Sequence, residues 1–229
     1  MRELTLTGAL LDPLLRDNPA GPRITYYDDA TGERVELSTA TLANWAAKTA
    51  NLLRDELGAG PGTRVGVLLP AHWQTAAVLL GIWWIGAEAV LNSSDEVTLC
   101  TRDRLDEAGM GEVAVLSLDA FGKGYDDLPV GVTDYATAVR VHGDQVVPEV
   151  NPGPALEGRS VTDVLDEARS ELSATDRVSS SLGWSTPPEL IANLVAVFAA
   201  GASLVQVTHP DAELKERRMA TEKVTKVLG

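Results

Sequence analysis

The sequence is short of several things at once. One cysteine, Cys100, stands in 229 residues, so neither an internal disulfide framework nor a cysteine-based zinc cage is available. Basic side chains are outnumbered, 19 Lys and Arg against 33 Asp and Glu, for a formal charge of −14 and a pI near 4.6. A field of that sign repels phosphate backbones and anionic lipid, which argues against nucleic acid and membrane surfaces as partners. The three histidines, His72, His142 and His209, have no ligand spacing among themselves, and no metal is expected. The motifs G-x-x-x-x-G-K-[ST], G-x-S-x-G and H-E-x-x-H are all missing. Gly58-Ala-Gly60-Pro-Gly62 precedes a strand rather than following one, so it reads as a turn and not as a dinucleotide fingerprint. Long apolar runs are scarce. Val65–Ala87 carries no formal charge over 23 residues, but Pro70, His72, Gln74 and Thr75 interrupt it, and it reads as strand, turn and buried helix rather than a membrane span. No apolar core follows a basic head at the N-terminus, so a secretory signal is not expected and the chain reads as cytoplasmic.

What remains is ordinary globular composition, 45% hydrophobic and 23% charged. A helix is expected near Thr5–Arg16. A hairpin should follow, Arg23–Asp28 against Glu33–Leu37, and these make an N-terminal unit over 1–38. Thr39–Leu57 places Leu42, Trp45, Ala46, Thr49, Leu52 and Leu53 on one helical face. Ser38 or Thr39 can cap it, and Gly58 can end it.

Beyond this point the chain repeats itself. Thr63–Leu69, an apolar helix and Ile85–Val90 are echoed by Asp176–Leu182, an apolar helix and Ala200–Val205. Arg64 pairs with Arg177 at a lag of 113, and Gly86 with Gly201 at 115. Each copy continues into a charged helical stretch and a further apolar strand, Val113–Leu116 and Lys223–Leu228. The expectation is a single α/β domain with parallel sheets and flanking helices, built from two related β-α-β-α-β halves over 39–118 and 160–229. The connecting segment 119–159 holds a helix, Thr133–Val141, and a Pro- and Gly-rich loop or linker at Pro148–Pro154.

In an open α/β sheet, ligands bind outside the carboxyl ends of the strands. That rule selects Pro70–Trp73, Asn92–Ser94, Gly183–Thr186 and Thr208-His209, with His72, Trp73, Trp184, Ser185, Thr186 and His209 as the candidate cleft. Trp184, Ser185 and Thr186 precede Pro187-Pro188, a favoured helix start whose free N–H groups can hold an anion. The alternative is that Ser185 and Thr186 only cap the helix and the histidines bond within loops. Trp83 and Trp84, adjacent on one helix, point about 100° apart. Both can be core, or one can face a ligand or a second subunit.

Several of these stretches resemble a known family. Ile24-Thr-Tyr26, Leu52–Gly58, Gly60–Pro70 and Ile85-Gly-Ala87 resemble the opening of the AMP-forming acyl-CoA synthetases and adenylation domains. Asp176-Arg-Val178, the helix to Ala200-Gly-Ala202, and Lys223–Gly229 resemble that family's second sheet-forming unit, and short actinobacterial proteins of unassigned function are expected as close relatives. The departures bear on function. The family's phosphate-clamping loop, rich in Ser, Thr and Gly and ending in Pro-Lys, would precede the helix resembling Ser160–Leu172. Here that place holds Asn151–Ser160, without threonine or lysine. The family's aromatic-histidine pair is replaced by Ser185-Thr186, and its adenine, ribose and hinge motifs and C-terminal lysine would lie beyond Gly229. The resemblance so qualified implies a truncated, catalytically silent relative kept for binding or assembly, with no catalytic, cofactor-binding or metal-binding residue. The alternatives are a ligase completed by a partner chain, another activity in a remodelled cleft, or a structural subunit. A half-length scaffold should also expose apolar surface, so a homodimer is expected, with Trp83 and Trp84 at its contact.

Overall fold

The computed structural model describes residues 4–229; the first three residues of the expected N-terminal unit lie outside the described residues. Helix α1 (Leu6–Asp17) starts where Thr5 accepts a hydrogen bond from the Gly8 amide. Strands β1 (Pro22–Asp28) and β2 (Glu33–Ser38) form the expected hairpin, with Tyr26 opposite Val35 and Asp28 opposite Glu33. Ser38 caps α2 (Thr39–Asp55), and Gly58 takes the left-handed conformation after it, φ 69°. The predicted apolar face is buried: Leu42, Ala46, Thr49, Leu52 and Leu53 are wholly covered, and Trp45 partly.

Two sheets follow. The all-parallel one contains β3 (Arg64–Leu68), β4 (Glu88–Leu91), β5 (Val97–Thr101), β6 (Glu112–Leu116) and β7 (Val132–Asp134), in the order β4-β3-β5-β6-β7. Helix α3 (Trp73–Trp84) joins β3 to β4, and α4 (Tyr135–Val141) follows β7, capped by Asp134. After α5 (Val161–Glu167), the second sheet takes β8 (Arg177–Ser180), β9 (Ser203–Thr208) and β10 (Lys226–Leu228). It runs in the order β10-β8-β9-β1-β2, so the N-terminal hairpin completes it. Its strands are parallel except β2. The crossover from β8 to β9 is α6 (Pro187–Leu190), a wider π turn over Ile191–Val195, and α7 (Ala196–Ala199); α8 (Ala212–Thr221) leads to β10.

Helix α3 touches β4 of the first sheet and β1 of the second, while α1 and α2 pack along it. All twelve of its residues are buried, which explains why its sequence is apolar all round. The folded chain exposes 10501 Å².

The lag in the sequence marks a true correspondence: β3 stands between β4 and β5 as β8 stands between β9 and β10. Gly86 and Gly201 both close their crossover helices at positive φ, 72° and 82°. One element departs from the expected half. Val97–Thr101 is a strand inserted without a helix before it, five residues bounded by Asp95-Glu96 and Arg102-Asp103, and the expected charged helix is the 3₁₀ turn Arg102–Glu107. The strand Val113–Leu116 therefore pairs with β5, not with β3.

The Pro- and Gly-rich stretch is also more than a linker. The Glu149 and Gly153 amides bond to the Trp84 and Gly86 carbonyls, and Ala155 and Leu156 are buried along the β4 edge. Trp83 donates its indole N–H to the Ala155 carbonyl at 2.8 Å. Trp83 and Trp84 are 1% and 7% exposed, so the apolar surface behind the expected two-fold contact is covered from within the chain.

Candidate functional site

Side chains at the carboxyl ends of the two sheets gather in two clusters. The first gathers where β1, β9 and β3 end. His72 caps α3, its Nδ1 accepting from the Gln74 amide at 3.1 Å, so the ring proton sits on Nε2. The imidazole packs edge-on against Tyr26, with ring centroids 4.2 Å apart, and Nε2 lies 4.0 Å from Glu33 Oε1. Burial pushes its pKa down to about 3, against a small opposing effect of Asp28, and keeps the ring neutral. Glu33 is raised, first by burial and then by the charges of Asp28 and Asp119, and its Oε1 has no hydrogen-bond partner among the described residues. His209 follows β9 in the left-handed region, φ 49°, and donates from Nδ1 to Asp28 Oδ1 at 2.8 Å. Burial works against the Asp28 charge, but His209 and the Ala30 amide hold this carboxylate below its usual range.

The second cluster joins the sheets. Asn92, at the end of β4 with φ 49°, donates to the Ser185 carbonyl at 2.7 Å and accepts from Arg104 at 2.8 Å. Ser185 and Thr186 do not offer a free anion site. The Ser185 amide donates to the Glu189 carboxylate at 2.9 Å, and Thr186 caps α6 by accepting from the Glu189 amide. A carboxylate thus occupies the helix start that the double proline suggested for an anion. Trp184 is buried behind this loop, 4% exposed, and its indole N–H has no partner among the described residues.

The six selected residues are therefore split. His72 and His209 share the Asp28–Glu33 cluster, while Trp184, Ser185 and Thr186 sit with Asn92. Trp73 packs instead against Trp45, its ring centroid 5.7 Å away. Asn92 was among the loop residues selected from the sequence, whereas Asp28 and Glu33 were not. Their polar character was visible, but only the sheet pairing brings them to the selected histidines and serine.

The stretch Asn151–Ser160 brings its one carboxylate, Glu157, together with Glu88 of β4 where a phosphate clamp needs N–H groups. The Gly158 amide donates to Glu88 at 2.6 Å, and Glu157 accepts from the Leu91 amide at 3.1 Å. Ser160 and Asp163 form a capping box on α5. Among the described residues, no group of three or more His, Cys, Asp or Glu is arranged to hold a metal ion, and no helix is long and apolar enough to cross a membrane. The hollow lined by Asp28, Asp29 and Glu33 also carries Arg217 and Arg218, so it presents charges of both signs.

Comparison with known proteins places this geometry. A family model described as "AMP-binding enzyme" matches residues 16–97. A "TIGR03089 family protein" of Mycobacterium tuberculosis is 64% identical over 98% of both chains. Among solved structures, an acyl-CoA synthetase of Brucella canis superposes with a TM-score of 0.81 at 17% identity, covering 98% of this chain and 47% of that one. A benzoate CoA ligase of Burkholderia xenovorans gives 0.76 at 14% identity over 99% and 50%. An acetoacetyl-CoA synthetase of Streptomyces lividans gives 0.79 at 19% over 98% and 42%. The chain spans about half the length of these solved ligases, and its fold is that of their N-terminal half.

Proposed function

The chain belongs to the TIGR03089 family, a short relative of the AMP-forming ligases, and from that premise we propose that it is a catalytically silent ligase scaffold retained as a binding or assembly module. One observation carries this reading. Asn151–Ser160, the segment that would hold a triphosphate, contains no lysine or threonine; its Gly158 amide is spent on Glu88, and its Glu157 takes the Leu91 amide. Adenylation brings a carboxylate against a triphosphate and depends on cations and N–H dipoles to neutralise the developing charge. Each carboxylate about 4 Å from a phosphate oxygen instead adds about 1–4 kcal/mol of repulsion, depending on solvent screening.

Carboxylate-dependent pyrophosphate exchange by the purified protein tests the silent half of the reading. The expected rate equals the blank, and a rate clearly above it overturns the proposal. A thermal-shift screen with nucleotides, CoA, acyl-CoAs and small carboxylic acids tests the binding half. A ligand at 100 times its Kd adds about 2.7 kcal/mol of apparent stability, readily visible in a melt.

A further inference from the structure

Helix α8 covers the second sheet without joining the core. Residues 212–217 are all exposed, Leu214 at 39%, and no residue of α8 belongs to either apolar cluster. What holds the helix is polar. Arg218, its one buried residue, lays its guanidinium on the Tyr27 ring at 4.8 Å and pairs with Asp29 in the hairpin turn. The second Asp29 oxygen takes the Asp211 amide at 2.7 Å, so one carboxylate grips both the start and the middle of the helix. At the other end Glu222 is fixed more firmly, by Tyr27, Arg34 and Arg177 together. Two hollows border the helix, and Arg218 lines both. One, of about 280 Å³, lies between Tyr27 and Leu214; the other, of about 370 Å³, lies over Ser179, Val207 and Val227. The chain is strained on both sides of α8. His209 before it and Lys223 after it take φ of 49° and 53°, the left-handed region that residues other than glycine rarely adopt.

We propose that α8 is a hinged flap, latched by Asp29 and pivoting at Glu222, that opens off the second sheet while the rest of the fold stays in place. Hinges lie at element ends, where a few residues absorb the change in φ and ψ, and His209 and Lys223 stand at those places. Release of their backbone from the left-handed region offsets part of the cost of opening. What is left is small for a helix. Opening parts one ion pair and one amide–carboxylate bond and exposes little apolar surface. Both charges pass into water together, so neither is stranded in the interior. The open flap joins the two hollows into one face and frees the Arg218 guanidinium beside Tyr27, a surface that the closed molecule does not present. The inference goes beyond the silent-scaffold reading and does not depend on it.

Native-state amide exchange on the full chain, followed by ¹H–¹⁵N NMR at several low urea concentrations, tests the flap. After correction for intrinsic rates, amides 216–221 should exchange at least about 100-fold faster than amides 204–207 of β9, because a ten-residue helix lifted from its sheet does not keep its own hydrogen bonds. Their exchange should also respond less to urea, since opening exposes less surface than unfolding does. Ile24→Val loosens the core, to which α8 contributes nothing, and should speed the β9 amides about five-fold while leaving those of α8 unchanged. Asp29→Asn removes the charge of the latch and should speed the α8 amides about ten-fold or more. If that variant fails to fold, the urea dependence of the parent and the Ile24→Val pattern decide. Protection of α8 equal to that of β9, the same urea dependence in both, or equal acceleration by Ile24→Val overturns the flap. Unchanged α8 exchange in Asp29→Asn overturns Asp29 as its latch.

Discussion

The two halves of the molecule share a strand order and differ in how the chain crosses it. From β9 to β10 the crossing is made by α8. From β4 to β5 it is made by Asn92–Glu96, far shorter than the dozen or more residues a parallel crossover usually takes. That short path lies directly on β3. A Cβ on Gly66 would overlap the Ser93 carbonyl and lie 3.1 Å from Ser94 Cα. At the matching place in β8 stands Ser179, half-buried beneath a helix that leaves it room. The outer faces diverge as well. Outside the first sheet, Leu68, Cys100, Val113 and Val115 make a small apolar cluster. Outside the second, Glu222 accepts from Tyr27 at 2.5 Å and pairs with Arg34 at 2.9 Å and with Arg177. Repetition of a topology thus fixes neither the residue beneath the crossover nor the chemistry of the outer face; the covering segment decides both.

The contrast is most directly broken at Gly66. Gly66→Val should cost about 3 kcal/mol or more, because backbone rather than a flexible side chain stands in the way. Denaturant melts that show less than about 1 kcal/mol would mean the crossing loop yields.

Glu222→Gln tests the charged face. It leaves Arg34 and Arg177 without a buried counter-charge and should cost about 2 kcal/mol at neutral pH. Burial opposes the Glu222 charge, but Tyr27, Arg177 and Arg34 together hold its pKa below the ordinary value. Its stabilisation is therefore present above the unfolded pKa and lost as pH falls through the folded one. The variant should lose less than the parent on acidification below about pH 4.

A smaller effect is expected at the junction of the halves. The unfolded chain takes a proton on His72 near pH 6.5, whereas the folded chain resists until about 3. Stability should fall with pH across that window, by about 1.4 kcal/mol on reaching pH 5.5. Asn is a good helix cap, so His72→Asn should keep the fold and remove this part of the slope. Glu33 acts in the opposite sense. Its raised pKa means the folded state gains relative stability as pH falls and the carboxylate is neutralised, so Glu33→Gln should steepen the acid loss. Smallest of all is Ser179→Ala, expected within about 0.5 kcal/mol of the parent by the same melts.

Local signals were enough for much of the fold. Ser38, Gly58, Gly86 and Gly201 announce helix ends, and the face of α2 shows in its spacing, because each depends on residues within a turn or two. The lag of 113 to 115 was readable because both halves keep an Arg at the strand start and a Gly after the helix. Strand β5 was lost among charges, since its five residues earn their place only by lying between β3 and β6. The position of Trp83 was ambiguous for a similar reason. Its partner, the Ala155 carbonyl, belongs to a stretch 72 residues away whose prolines and glycines suggested a linker. Of the candidate site, the loops were legible and their division into two clusters was not. Glu33 reaches His72 across two sheets, and Glu189 turns back onto Ser185 in a way that a helix-capping pattern alone does not specify.

The N-terminal hairpin has a consequence in time. Ile24 of β1 pairs with Leu204 of β9, so one sheet is assembled from nearly opposite ends of the chain, whereas the other is complete once Asp134 has been made. At about 5–20 residues per second, the ribosome takes roughly 10–35 s to go from the end of β1 to the start of β9. Throughout that interval Ile24 and Tyr26 belong to a strand whose parallel neighbour does not yet exist. Pairings between such distant residues are also intrinsically slow to form. The first strand can therefore take its place beside its parallel partner only after β9 has been made.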